Sequence, residues 1–94
     1  MARKLVSIVK EKMIEYYSGD SRRVHHFLKV HSFAKLIAET ENMEPGEQVV
    51  LEIAALTHDI GIKNAELKYG YNNGRLQEQE GPPEARRLLR EAGA

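Results

Sequence analysis

Three side chains that can ligate a metal ion stand out in the sequence: His26, and the adjacent pair His58 and Asp59. The chain contains no cysteine, so metal ligands have to come from histidine and carboxylate side chains. Two imidazole nitrogens with one carboxylate oxygen suit first-row transition metals better than Ca²⁺, which prefers oxygen ligands alone. The predicted cofactor is therefore a divalent metal ion, with Mn, Fe, Co, Ni, Zn and Mg all left open.

Helical periodicity gives His26 a different environment from its neighbours. At about 100° per residue, His26 lies within roughly 40° of an apolar stripe and is predicted to face the core. His25 and His31 fall roughly 100° and 140° away from it, on polar or boundary faces, and are poorer ligand candidates. Alone, an inward histidine is more often a hydrogen-bonded core residue than a ligand. The stripe consists of Val30, Phe33 and Ile37.

The pair His58 and Asp59 closes an apolar segment. Burying an imidazole beside a carboxylate costs free energy, because both groups lose their hydrogen bonds to water. A divalent cation that binds both groups can offset this cost. Because adjacent helical residues project about 100° apart, one ion can reach both only near the last turn of the helix. The alternative is that His58 interacts with the helix dipole while Asp59 is solvated.

Three helices are predicted in the first two thirds of the chain. Apolar residues recur at three- and four-residue steps before Gly19, and Asp20 or Ser21 can cap the helix that follows. Pro45 suits the first turn of a third helix, which is apolar over a wide arc and is predicted to be the most buried. The predicted spans are about 3–17, 21–41 and 45–60.

The rest of the chain is predicted to be less regular. Gly61 can take a left-handed conformation and is predicted to end the third helix. Residues 62–81 are predicted as a loop with a short helical turn near 64–69, since the flanks of Asn73-Gly74 lack the alternation of a hairpin. Pro82 and Pro83 are predicted to open a last helix.

Composition limits the classes of function. A chain of 94 residues is one domain at most, and 41% hydrophobic with 30% charged residues is typical of a folded helical protein. Fourteen basic and fourteen acidic residues cancel, so no overall field draws the chain toward nucleic acid or a membrane surface. No signal peptide or membrane span is evident, which favours a cytoplasmic protein.

Two blocks of the sequence resemble the HD-domain superfamily of metal-dependent phosphohydrolases. In the first, His26 is followed by Val30 and Ala34, as in that family; in the second, the His-Asp pair closes an apolar helix and is followed by Ile-Gly, at residues 58–61. The resemblance extends over roughly residues 20 to 90, and its specificity comes from both blocks together. The blocks are RVHHFLKVHSFA, residues 23–34, and LEIAALTHDIG, residues 51–61.

The resemblance implies an all-α, HD-domain-like bundle of about four to five helices, a single domain over residues 1–94 that is incomplete at its C-terminus. It implies His26, His58 and Asp59 as metal ligands and hydrolysis of a phosphate ester, with a nucleotide or nucleotide-derived signal as the expected small-molecule partner. From the ligand set, Asp59 is a candidate general base. Lys63, four residues later, is the first candidate to bind the phosphate.

One departure from the family leaves the function open. The family's fourth ligand is an Asp on a later helix, and no Asp follows Asp59. Three explanations are open. The chain is a fragment of a longer protein, or a Glu or a partner chain supplies the fourth ligand in place of the Asp, or the domain is inactive and serves as a metal- or nucleotide-binding regulatory module. Uncovered apolar surface would favour a homo-oligomer or a plain helical association module. The remaining carboxylates are Glu66, Glu78, Glu80, Glu84 and Glu91.

Overall fold

The computed structural model describes residues 2–93, and over this range it contains five α-helices and no strand. The predicted all-α fold class is therefore confirmed. The chain divides into two compact units, one ending at Thr57 and one beginning at His58. The helices are α1 Ala2–Tyr16, α2 Ser21–Thr40, α3 Pro45–Thr57, α4 Gly61–Tyr69 and α5 Gly74–Glu91.

The first unit is a three-helix assembly in which α3 packs against both α1 and α2. Each helix contributes apolar side chains that are removed from water, which is the main favourable term in folding. The rings of Tyr17 and Phe27 lie 6.4 Å apart, centroid to centroid, and link the end of α1 to α2. The buried apolar residues of this unit include Val6, Val9, Met13, Phe27, Ala38, Val49 and Leu56.

Local signals explain why the helices of the first unit begin where they do. The side chain of Asp20 accepts a hydrogen bond from the backbone N–H of Arg23 and so caps α2, as predicted. Pro45 is the first residue of α3, where its missing N–H has no helical partner to lose. Gly19, with φ of 88°, makes the left-handed turn between α1 and α2.

The second unit is a pair of helices, α4 and α5, that pack against each other. Asn64 Nδ2 donates to Glu84 Oε2 at 2.9 Å, and Lys68 Nζ lies 2.8 Å from Oε1 of the buried Glu80. Asn73 caps α5 by accepting from the N–H of Leu76 at 2.8 Å. These polar contacts, with the buried Ala65 and Leu88, hold the two helices together.

The predicted role of Gly61 is wrong. The third helix ends at Thr57, and Gly61 begins α4 without a left-handed backbone. A Cβ at this position would lie 2.6 Å from the backbone N of Gly81 and 2.7 Å from the carbonyl oxygen of Gln77. The glycine is therefore required by the close approach of α4 to α5.

The predicted loop over residues 62–81 and the predicted start of the last helix are also wrong. Most of that range is helical, in α4 and in the first turns of α5. Pro82 and Pro83 lie inside α5, which begins eight residues before Pro82, at Gly74. Asn73-Gly74 is thus a helix start, and the side chain of Asn73 supplies the cap.

In the part of the chain that the structure describes, none of the helices combines the length and apolar character needed to cross a bilayer.

Candidate metal centre

His58 and Asp59 lie in the short turn between α3 and α4. The backbone N–H of Ile62 donates to the carbonyl of Asp59 at 3.1 Å, which closes the turn. Asp59 is buried, with 5% of its surface exposed, whereas His58 is exposed. The pair therefore lies just after the end of α3 rather than in its last turn, and the predicted burial is right for Asp59 and wrong for His58.

His26 lies on α2, but its predicted environment is wrong: the side chain is exposed rather than directed into the core. Two of the three stripe residues are exposed as well, Phe33 at 58% and Ile37 at 57%. The buried face of α2 is formed instead by Phe27, His31 and Ala38. For a ligand this exposure is an advantage, since an imidazole must be reachable by an incoming ion.

The three residues predicted as metal ligands come together in the structure. One ligand atom from each of His26, His58 and Asp59 lies within 4.8 Å of the other two. Two ligands of one Zn²⁺-like ion, each at about 2.0–2.2 Å, are at most about 4.4 Å apart.

Two imidazole nitrogens and one carboxylate oxygen form a chemically consistent donor set for Mn, Fe, Co, Ni or Zn. Within residues 2–93, no fourth histidine or carboxylate joins this group. Three protein ligands with a remaining open position are the arrangement that catalytic metal sites use, because the open position admits water or substrate. The types of residue present fit a single divalent ion.

Lys63 lies in the first turn of α4, not in the predicted loop, and its side chain is exposed. Its position four residues after Asp59 keeps it on the segment that leaves the turn. An exposed ammonium here can compensate the charge of a phosphate group.

A second polar cluster, around Glu52 in the first unit, is not apparent from the sequence patterns above. Glu52 is fully buried in α3, and its carboxylate accepts two hydrogen bonds from Arg3, one of them at 2.9 Å. Gln48 Nε2 donates to it at 2.9 Å, and His31 Nε2 lies 2.8 Å away. The guanidinium of Arg3, helped by Gln48 and His31 and opposed by burial, lowers the pKa of Glu52 to about 2.

The cluster reverses the prediction for His31, which is buried rather than on a polar or boundary face. Because Glu52 is ionised at neutral pH and can then only accept, Nε2 of His31 is the donor in their hydrogen bond. A signal was present in the sequence: Glu52 stands three residues after Val49 and four before Leu56, in line with two core residues of α3. A charged residue in that register indicates a buried partner.

Comparison with known proteins adds no relative: no family model matches the chain, and neither a curated protein nor a solved structure matches it. The resemblance to the HD-domain superfamily therefore stays a prediction that depends on the residues quoted above.

Proposed function

We propose that this chain is a metal-dependent phosphohydrolase of the HD type, with one divalent ion held by His26, His58 and Asp59. The observation that supports it is the convergence of these three side chains, predicted from sequence, to within 4.8 Å. Two of the three side chains are exposed, so an ion from solvent can reach them.

In this proposal the ion and the chain's own residues have separate catalytic roles. A divalent ion at this position would supply Lewis acidity toward a phosphoryl oxygen and a lowered pKa for water. Asp59 can bind through one carboxylate oxygen and accept a proton from the attacking water through the other, as a general base. Lys63 would balance the phosphate charge from the first turn of α4. The substrate class is a phosphate ester, with a nucleotide or nucleotide-derived signal as the expected member.

Metal binding is the first test. Metal-stripped protein titrated with Mn²⁺ or Zn²⁺ in a calorimeter should bind one equivalent. Replacing His26, His58 or Asp59 by Ala should abolish that binding, whereas His25→Ala should leave it unchanged, because His25 is an exposed neighbour of His26 outside the cluster. Stoichiometric metal in the Asp59→Ala variant would refute the ligand assignment.

Hydrolysis is the second test. With Mn²⁺ present, the protein should release phosphate from a generic aryl phosphate and from nucleotides. Lys63→Ala should lower kcat/KM by roughly tenfold or more, as expected for loss of a charged group that stabilises the transition state. Metal affinity should not change in that variant, and Lys35→Ala, which removes an exposed lysine of α2, should have no effect. Equal losses of metal and turnover in Lys63→Ala would argue against a role in substrate binding.

One observation favours a second function. No Asp follows Asp59 in the sequence, and in the described residues the cluster has three members. A domain of this kind could bind metal or nucleotide and regulate a partner without catalysis. One equivalent of bound metal together with no phosphate release from any nucleotide would favour this regulatory function over hydrolysis.

A further inference from the structure

The face of α2 that carries His26 also carries a cation and an aromatic ring. Lys29 follows His26 by three residues, about 4.5 Å along the helix axis, and Phe33 follows it by seven residues, about 10.5 Å. At about 100° per residue, Lys29 and Phe33 are rotated from His26 by about 60° and about 20° around the axis. All three side chains are exposed. The proposed metal ligand, the ammonium group and the ring therefore follow one another along one face of the helix.

The two phenylalanines of the chain both lie on α2, in opposite environments. Phe27 is fully buried next to Tyr17, whereas Phe33 is 58% exposed, and no ring contact among residues 2–93 includes it. A helical side chain covers the turn on the N-terminal side of its own Cα, so Phe33 covers the turn that begins at Lys29. An accessible ring in this position can stack against a nucleobase.

The charges of α2 favour an anion on this face. Between Ser21 and Ala38 the helix has four basic residues and no acidic residue, although the net charge of the chain is zero. Arg23 is paired with Asp20 at 3.0 Å, but no ion pair in the described part of the chain includes Lys29. An exposed and unpaired ammonium group next to the proposed metal ligand can bind a phosphate group.

We propose that the substrate of this site is a nucleoside di- or triphosphate whose base stacks on Phe33. The inference rests on the proposed function, because the ion at His26 determines where the reacting phosphate lies. Lys29 lies between His26 and Phe33 along the axis, so a second phosphate between the reacting phosphate and the ribose meets its ammonium group. A nucleoside monophosphate has no charge at that place. Phe33 therefore selects for a base, and Lys29 selects for more than one phosphate.

Calorimetric titration with two probes tests the role of Phe33. The probes are α,β-methylene ADP, which has a base, and methylenebisphosphonate, which has none, each added in the same excess of Mn²⁺. Phe33→Ala should raise the Kd of the ADP analogue about fivefold or more, the loss expected for one stacked base, and leave the Kd of the bisphosphonate unchanged. Phe33→Trp should preserve binding of the ADP analogue, because its ring can also stack.

Ile37→Ala is the matched control for Phe33→Ala. Ile37 is exposed to 57% on the same helix, but it lies about 16.5 Å from His26 along the axis, beyond the proposed base. The variant should change the Kd of neither probe. Circular dichroism should show the same helical content in the unaltered chain and in all variants, because the substituted side chains are exposed.

Lys29→Ala tests the second phosphate. It should weaken binding of both probes several-fold, because both carry two phosphorus groups. Lys35→Ala should weaken neither, since Lys35 follows His26 by nine residues and lies about 180° away around the axis. Equal losses in the two lysine variants would show a general effect of charge and would overturn the role of Lys29.

The outcomes separate this inference from the proposed function. The stacking role would be overturned if Phe33→Ala bound the ADP analogue as tightly as the unaltered chain, or if it lost both probes equally. A chain that binds Mn²⁺ but not the ADP analogue would overturn this inference and leave the metal assignment standing. A chain that binds no Mn²⁺, yet loses the ADP analogue in Phe33→Ala, would overturn the proposed function and support the base site.

Discussion

Glu52 and Asp59 are both buried carboxylates, seven residues apart, yet their surroundings differ in kind. Glu52 is surrounded by donors of the first unit: Arg3, Gln48 and His31 all contact its oxygens. Asp59 is grouped with two exposed imidazoles, which are ligands as readily as they are donors. The difference teaches that burial alone does not identify a functional carboxylate. What distinguishes the two is whether accessible ligating groups surround the carboxylate.

The Glu52 cluster serves to hold the first unit together. Its members come from α1, α2 and α3, so one carboxylate connects all three helices of that unit. Removing one partner of a buried charged cluster is costly, because the groups left behind cannot regain water. The cluster is therefore expected to affect folding strongly and metal binding little, and the Asp59 group to do the opposite.

The largest expected effect is on stability, from Glu52→Ala. This variant leaves the buried His31 without its acceptor and should lower the free energy of unfolding by about 3–5 kcal/mol. Urea denaturation followed by circular dichroism measures the change. Glu11→Ala, at an exposed position of α1, is the control and should change stability by less than about 0.5 kcal/mol. Similar small losses in both variants would mean that the cluster does not hold the unit together.

The sequence predicted the first unit better than the second. Strong local signals define α1 to α3: regular apolar steps, the Asp20 cap and Pro45 at a helix start. In the second unit the signals were ambiguous. From sequence, Asn73-Gly74 favours a turn and a helix cap equally. The hydrogen bond from the N–H of Leu76 to the side chain of Asn73 shows that it is a helix cap. The need for Gly61 depends on the backbone of α5, which no local pattern reveals.

For the candidate site, the choice of ligand residues stays a prediction, and the predicted environments of two histidines are wrong. His26, His58 and Asp59 were selected by type and spacing, and the structure brings them together. Periodicity nevertheless placed His26 inside and His31 outside, the reverse of what is found. The cause is that α2 carries apolar residues on two opposite sides, so its periodicity alone does not show which side faces the core. The buried face includes His31, whose ring bonds Glu52 of another helix, and such a partner is not visible in the periodicity of α2 itself.

The second effect is a dependence of stability on pH. Glu52 has its pKa lowered from 4.5 to about 2 in the folded chain, so its contribution is complete above pH 4.5 and is lost as the pH falls toward 2. The loss should reach about 3 kcal/mol by pH 2. Because other carboxylates titrate as well, the measurement is the difference in unfolding free energy between the unaltered chain and Glu52→Gln. That difference should shrink with acidification; a constant difference from pH 6 to 2 would contradict it.

The smallest expected effect, and the one that separates the two carboxylates most directly, is stabilisation by metal. An ion that binds only the folded chain adds about 2.7 kcal/mol when its free concentration is a hundred times its Kd. Thermal unfolding with and without Mn²⁺ or Zn²⁺ should show this gain in the unaltered chain and, from a lower starting stability, in Glu52→Gln. Asp59→Asn should show no gain, because an amide oxygen is a weaker ligand for a cation than a carboxylate. Equal gains in Glu52→Gln and Asp59→Asn would show that the ion binds elsewhere. If the gain were lost in Glu52→Gln and kept in Asp59→Asn, the ion would bind at Glu52 and the assignment to Asp59 would be wrong.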